Sequence, residues 1–172
     1  IIASNQNNSL FFFNKKNGEI LKLIPTEEVI VKNKFLNNLS LSQNTLFYLN
    51  TYGSLYSIDV KNFKINWFIN LNQSIQVDVG NLFSAMPIVN NSSRIVISSN
   101  LSTFIIDSNT GEIITKKNFS ASVRPIIQNN YVFLITEENL LISINLINGD
   151  IIYSYDINEQ IAQFLKIKKD TA

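Results

Sequence analysis

Asp107, Asn109 and Gly111 alternate along the chain as oxygen ligands do at the start of a calcium-binding loop. In a helix–loop–helix calcium site the glycine is the sixth residue of the loop, and a bidentate glutamate is the twelfth. Here the glycine is the fifth residue, and Asn118 stands at the twelfth position. The alternative is a tight turn in which Asp107 binds the turn backbone and Gly111 supplies a positive φ angle. We favour the turn and expect no metal site.

Other carboxylates offer little for acid–base catalysis. Glu27 and Glu28 are adjacent, so in a strand they would point to opposite faces. Glu137 and Glu138 fall in a short turn between predicted strands, where a charged side chain is simply solvated. The chain has no histidine and no cysteine, and therefore lacks the commonest general base and any thiolate nucleophile. We expect no catalytic residue and no cofactor, because a catalytic carboxylate pair would have to be assembled by the fold alone.

The composition is that of one globular domain. The chain has 172 residues, of which 45% are hydrophobic and 16% are charged, so it can bury a core and is not a disordered tail. Its net charge of +1 gives no reason to expect a nucleic-acid partner. The many asparagines reflect AT-rich codons and are weak evidence of function. No apolar run approaches the roughly 20 residues of a transmembrane helix.

Short apolar runs separated by Asn, Gly, Ser and Asp predict β-strands along most of the chain. The clearest runs are Leu10–Phe13, Leu46–Leu49, Arg94–Ile97 and Tyr131–Ile135. Alternation predicts that Leu140, Ile142 and Ile144 share one face of a further strand. The best helical candidate is residues 159–167.

A hairpin pattern occurs four times, and it fixes the repeat. An Asp or Asn ends a strand, a turn residue follows four positions later, and another apolar strand begins. The strand ends are Asn14, Asp59, Asp107 and Asn145, and the turn residues are Gly18, Phe63, Gly111 and Gly149. Pro87 and Pro125 open matching segments in two of the units, where a strand tolerates the missing N–H. Four short strands in each 38 to 48 residues are typical of a propeller blade.

The segments "LYSIDVKNFKINW" and "FIIDSNTGEII" resemble PQQ-type β-propeller repeats over nearly the whole chain. The resemblance implies an all-β fold of about four four-stranded blades, within repeats of roughly 1–30, 31–80, 81–122 and 123–158. Residues 159–172 would be a tail or the start of a further blade. The position of Trp67 usually serves packing between blades in this family, and we prefer that role to a stacking platform for a ligand.

Propellers of this family usually carry seven or eight blades, so four blades imply a partial ring or a fragment. Each blade covers the face of its neighbour, and an open ring therefore exposes two apolar faces. We expect these faces to be covered by a missing remainder or by self-association.

Two branches of the family set the functional alternatives. BamB-like lipoproteins use the propeller as a scaffold in outer-membrane β-barrel assembly, and PQQ-dependent dehydrogenases use it to hold a quinone and calcium. The drifted repeats favour a non-catalytic scaffold on the periplasmic side of the bacterial envelope, lipid-anchored upstream of this segment, with an assembly component as its protein partner. The alternatives are a dehydrogenase fragment and a ligand-sensing propeller domain.

The segment from Asn72 to Met86 is the best candidate for a partner-binding loop, because it lies in the longest interval between repeats and mixes apolar with polar residues. Asp78, Leu82 and Phe83 are the candidate contact residues. The alternative, given equal weight, is that these side chains pack under the loop or form the first strand of the next blade.

Overall fold

A computed structural model describes residues 1–26, 38–72, 83–99 and 101–170, the side chains of the last helix only as far as residue 166. Short β-branched and aromatic runs between turn residues form strands, as expected from their propensities. The described elements are β1 (Ile2–Ser4), β2 (Leu10–Phe13), β3 (Ile20–Ile24), β4 (Leu39–Ser42), β5 (Thr45–Leu49), β6 (Ser54–Asp59), β7 (Lys64–Asn70), β8 (Val89–Asn90), β9 (Arg94–Ser98), β10 (Thr103–Asp107), β11 (Ile113–Lys117), β12 (Ile126–Gln128), β13 (Tyr131–Ile135), β14 (Leu140–Asn145), β15 (Ile151–Asp156) and the helix α1 (Asn158–Asp170).

The strands form four antiparallel sheets, each with its strands paired in chain order. Blade 1 is β1–β3, blade 2 is β4–β7, blade 3 is β8–β11 and blade 4 is β12–β15. Three described strands make up blade 1, and four make up each of the others. The all-β propeller fold predicted from the repeats is therefore confirmed, with a blade count that agrees.

Three apolar clusters lie between successive blades and hold them together. The first interface joins blades 1 and 2 through Leu10, Phe12, Ile24, Leu46, Tyr48, Tyr56 and Ile58. The second joins blades 2 and 3 through Phe47, Leu49, Leu55, Leu71, Ile88, Ile95, Ile97, Phe104 and Ile106. The third joins blades 3 and 4 through Val89, Val96, Ile105, Ala121, Val132, Leu134, Ile142, Ile144 and Leu146. Blades 2 and 3 are thus covered on both faces, which explains why their inner strands β5, β9 and β10 are buried along most of their length.

Antiparallel pairing sends the connections of each blade alternately to opposite ends of its sheet. We call the end that carries the four Asp/Asn hairpins (14–19, 59–63, 107–112 and 145–150) the turn end. The opposite, loop end carries the loops at 5–9, 50–53 and 136–139 and the described residues on either side of position 100. Of the candidate loop from Asn72 to Met86, the structure describes Asn72 and residues 83–86, which lie at the loop end.

Helix α1 extends from the last strand, in the segment that the sequence indicates as its best helical candidate. Its side chains as far as residue 166 are exposed or half-exposed, so this part of the helix adds no buried core. Within the described residues, no helix combines the length and the hydropathy that crossing a membrane requires.

Candidate functional site

The Asp107 carboxylate lies at the turn end, and its oxygens bind the protein itself. Oδ1 accepts hydrogen bonds from the backbone N–H groups of Asn109 (2.9 Å) and Thr110 (3.1 Å). Oδ2 accepts one from Nη1 of Arg94 at 2.7 Å, which also makes an ion pair. Gly111 closes the turn with a φ of 78°. Oδ1 therefore closes the hairpin and Oδ2 joins it to β9, which is the geometry of the predicted turn.

The same contacts set the pKa of Asp107. Burial acts to raise the pKa of this carboxyl, because the charged form loses solvation. The two backbone N–H donors and the Arg94 charge act in the opposite direction and outweigh burial, so the pKa lies below its ordinary value. The carboxylate is a structural anion at neutral pH and not a general base.

The other three hairpins repeat the geometry with different side chains. Asn14, Asp59 and Asn145 each accept a backbone N–H two residues later, at distances of 2.9, 2.7 and 2.8 Å. The turn residues Gly18, Phe63 and Gly149 have φ angles of 75°, 58° and 77°. A neutral asparagine does the same work as an aspartate here, because the role is to accept hydrogen bonds. In the described residues, no three Asp or Glu side chains converge as metal ligands would.

Trp67 lies between two blades. Its indole Nε1 donates to the carbonyl of Ser108 at 3.2 Å, across the second interface. A Cβ atom added to Gly111 would stand 2.7 Å from the ring, so only glycine leaves room for the indole. Thr115 of blade 3 packs against Gly149 of blade 4 in the same way, since a Cβ added to Gly149 would stand 2.5 Å from Cγ2 of Thr115. Gly111 and Gly149 thus each have two roles, because each adopts a positive φ and leaves room for a side chain of the preceding blade.

Buried asparagines also join the blades, and the sequence reading missed them by assigning asparagine to codon bias. Asn8 is 0% exposed, and its Oδ1 accepts from the backbone N–H and the hydroxyl of Thr51 in blade 2. Asn38 receives the backbone N–H of Ile88 from blade 3 at 2.8 Å. Only their places in loops between predicted strands could have signalled this role.

Phe83 is the one candidate partner residue that the structure describes, since Asp78 and Leu82 lie outside the described residues. Its backbone N–H donates to the carbonyl of Thr51 at 2.9 Å. Its half-buried ring packs against the second interface and would lie 3.0 Å from a Cβ added to Gly53. The loop is thus anchored to blade 2 at Phe83, and a partner role for this residue stays a prediction.

Two exposed aliphatic residues lie at the same loop end as Phe83, farther along the chain. Leu101, in the loop between β9 and β10, is 81% exposed, and Val123, in the connection between blades 3 and 4, is 50% exposed. Arg124 follows and is also exposed. The loop end therefore carries apolar side chains with a cationic neighbour, which is chemistry suited to a protein partner.

The remaining carboxylate candidates are two adjacent pairs, of which the structure describes one. Glu137 and Glu138 are exposed, and a hydrogen bond with the Thr136 side chain is the main reason why the pKa of Glu138 lies below its ordinary value. Glu27 and Glu28 lie outside the described residues. A polar cleft of about 90 Å³ opens between blades 2 and 3, lined by Phe47, Ser108 and Asn109 among others.

Comparisons with solved structures agree with this geometry. The chain aligns with BamB from Moraxella catarrhalis at a TM-score of 0.63 and 10% identity, over 89% of this chain and 48% of that one. It aligns with the computationally designed Ika8 protein at a TM-score of 0.65 and 12% identity, over 90% of this chain and 45% of that one. A europium-containing methanol dehydrogenase aligns at a TM-score of 0.54 and 14% identity, over 69% of this chain and 24% of that one.

These similarities define the class of protein and nothing narrower. BamB and the methanol dehydrogenase are both β-propellers of PQQ-type repeats, and the present chain shares that fold at low sequence identity. It spans about half the length of the first two structures. No protein-family model matches the chain, and no curated protein matches it significantly.

Proposed function

We propose that this chain is a non-catalytic protein-binding scaffold, acting as a BamB-like component of outer-membrane β-barrel protein assembly on the periplasmic side of the bacterial envelope. The propeller fold shared with BamB supports the proposal. The hydrogen bonding of Asp107 also supports the proposal, because both oxygens of its carboxylate are bonded within the protein. A scaffold of this kind contributes shape and surface rather than reactive groups.

The observation that carries the proposal is the exposure of Leu101 and Val123 at the loop end, on the same side as Phe83. Aliphatic side chains at loop tips lose water-exposed area when a partner covers them, which supplies affinity. The exposed Arg124 beside Val123 would add charge selectivity for an acidic partner surface.

The test is binding of the chain to purified periplasmic domains of the β-barrel assembly machinery, measured by biolayer interferometry. We expect the double variant Leu101→Ser, Val123→Ser to bind about tenfold more weakly, which corresponds to a loss of about 1.4 kcal/mol of binding free energy. The matched control is Ile147→Ser, because Ile147 is an aliphatic residue at the turn end whose exposure of 59% lies between those of Leu101 and Val123. Thermal melts should be the same for all three proteins.

Equal loss of affinity in the Ile147→Ser control, or no binding by the unaltered chain, would contradict the proposed function. Phe83→Ala serves as a separate variant, because its ring also packs against the second interface. The alternative of a dehydrogenase fragment has a distinct result. If addition of quinone and calcium produced dye reduction, the scaffold proposal would have to be abandoned.

A further inference from the structure

Two of the four turn-end hairpins contain an asparagine that directly precedes glycine. The residue before the turn residue is, in chain order, Asn17, Asn62, Thr110 and Asn148. Asn17 is followed by Gly18 and Asn148 by Gly149, and the sequence contains no other Asn–Gly pair. Such an asparagine is chemically labile, because the backbone nitrogen of the next residue can attack the side-chain amide and glycine has no side chain to hinder the approach.

The two Asn–Gly hairpins have the same internal hydrogen bonds. Oδ1 of Asn17 accepts the backbone N–H of Glu19 at 3.2 Å, and Nδ2 donates to Oε2 of Glu19 at 2.7 Å. Oδ1 of Asn148 accepts the backbone N–H of Asp150 at 3.1 Å, and Nδ2 donates to Oδ2 of Asp150 at 2.6 Å. In both hairpins the glycine N–H donates to the carbonyl of the asparagine that ends the strand, at 2.9 and 2.8 Å. Hydrogen bonding therefore does not distinguish the two sites.

Packing against the preceding blade does distinguish them. Gly149 is buried, and a Cβ added to it would stand 2.5 Å from Cγ2 of Thr115. Gly18 is exposed, and no described atom lies within 4 Å of a Cβ added there. The attack requires the glycine nitrogen to leave its hydrogen bond and move toward the asparagine side chain, so the hairpin backbone must shift. Thr115 blocks this shift at Asn148, whereas no described atom opposes it at Asn17.

We propose that Asn17 is a site of spontaneous deamidation in the folded chain, and that the contact of blade 4 with Thr115 protects Asn148. The backbone nitrogen of Gly18 forms a bond to Cγ of Asn17, the bond from Cγ to Nδ2 breaks, and Nδ2 leaves as ammonia with the proton of the glycine N–H. Water then opens the cyclic imide at one of its two carbonyl carbons and gives aspartate or isoaspartate. Water is the co-reactant, and nothing is oxidised or reduced.

The product carries a new negative charge at the turn end. In the aspartate product a carboxylate oxygen replaces Nδ2 of Asn17 opposite Oε2 of Glu19, so a hydrogen bond of 2.7 Å becomes a contact between like charges. The net charge of +1 falls by one. The structural change stays within the hairpin at 14–19, because Gly18 packs against no described residue.

The first test is peptide mapping by mass spectrometry of the 172-residue chain during incubation at mildly alkaline pH. We expect Asn17 to react at least tenfold faster than Asn148 in the folded chain, and the two to react at similar rates in guanidinium, where no blade is docked. Asn62 is the internal reference and should react more slowly than both in guanidinium, because Phe63 hinders the attack. Equal rates at Asn17 and Asn148 in the folded chain, or a rate at Asn17 no higher than at Asn62, would overturn the proposal.

Asn17→Thr is a matched control that the chain itself supplies. Oγ1 of Thr110, at the equivalent position of blade 3, accepts the backbone N–H of Glu112 at 3.2 Å, as Oδ1 of Asn17 accepts that of Glu19. This variant should keep the hairpin and the melting temperature, and it should lose the reaction in blade 1. A charge change of the same size in the incubated Asn17→Thr chain would place the reaction elsewhere and refute the assignment.

A second variant tests the protection of Asn148. Thr115→Ala should accelerate the reaction at Asn148 at least threefold and leave the rate at Asn17 unchanged, because it removes the atoms nearest to Gly149. Lys117→Ala, on the same strand, is the control and should change neither rate. An unchanged rate at Asn148 in Thr115→Ala would refute the proposed protection. The scaffold test uses residues at the loop end, so its result is independent of this chemistry at the turn end.

Discussion

Phe63 stands where the other three hairpins have glycine, and its backbone keeps a φ of 58°. A bulky residue in this region costs about 1 kcal/mol or more, so a compensating contact is needed. Phe63 makes an edge-to-face contact with Phe12, with ring centroids 5.1 Å apart, and packs against the first interface. At this interface the apolar side chain therefore comes from the hairpin, whereas at the second it comes from Trp67. Phe63 departs from the repeat because, at the first interface, the hairpin supplies the apolar side chain that the outermost strand supplies at the second.

Asp107 gives a prediction at the scale of a single residue. Because its folded pKa lies below the ordinary value of 3.8, the charge stabilises the fold at pH values above that, and this stability is lost as pH falls through the folded pKa. Asp107→Asn keeps the hairpin hydrogen bonds but removes the charge. We expect it to cost about 0.5–1 kcal/mol at pH 7 and nearly nothing near pH 2, measured by urea denaturation across this range.

The control for this prediction is the same substitution in an Arg94→Gln background. The cost of Asp107→Asn at pH 7 should then decrease, because the ion pair is already absent. If the cost stayed the same at both pH values, the aspartate would be acting only as a hydrogen-bond acceptor.

At the scale of elements, the outermost strands of blades 2 and 3 each carry a side chain that docks on the next blade, and the shape of that side chain differs between the second and third interfaces. Trp67 fills the second interface with a large ring and an N–H donor, and Thr115 fills the third with a small side chain. Gly111 lies about as close to Trp67 as Gly149 lies to Thr115. The backbone therefore sets the distance between the outermost strand and the next hairpin, and each side chain fills the space that remains.

Trp67→Ala should destabilise the chain by about 3 kcal/mol, since it removes the ring from Gly111 and the indole bond to Ser108. Trp67→Phe is the matched variant and should cost less, because it keeps an aromatic ring and loses the hydrogen bond. Urea denaturation followed by circular dichroism measures both, since the only tryptophan is then absent. Equal costs for the two variants would mean that the N–H donor, and not the packing of the ring, is what stabilises this interface.

At the scale of the whole molecule, the blades form a linear series in which each contacts its neighbours along the chain. Among the described residues, blades 2 and 3 are covered on both faces, and blades 1 and 4 on one. In such a series local opening is easiest at the ends, because fewer apolar contacts are broken there.

Hydrogen exchange should report this gradient. We expect the amides of β10 to exchange at least tenfold more slowly than those of the equivalent strand β2. Mass spectrometry of pepsin fragments measures both strands, and helix α1, whose side chains are exposed or half-exposed as far as residue 166, serves as the fast-exchanging reference. Equal protection of β2 and β10 would contradict the linear description.

The sequence by itself determined the fold class and the register of the blades. Strand runs such as Tyr131–Ile135 and the spacing from Asp107 to Gly111 are local, because propensity, alternation and positive φ depend on neighbours in the chain. The hydrogen bond from the turn backbone to Asn14 or Asn145 is equally local. Because a neutral asparagine can accept this bond, its presence at the equivalent positions favoured a hairpin turn over a calcium site.

Only the tertiary structure decided which side chains meet across the blades. The pairing of Arg94 with Asp107, the burial of Asn8 against Thr51 and the seat of Trp67 on Gly111 join residues that are 13 to 44 positions apart in the chain. The exposure of Tyr153 and the open space at Gly18 are likewise invisible in the repeat, since the repeat makes them equal to buried positions. Their difference arises from the place of each blade in the series, because no blade among the described residues covers either terminal face.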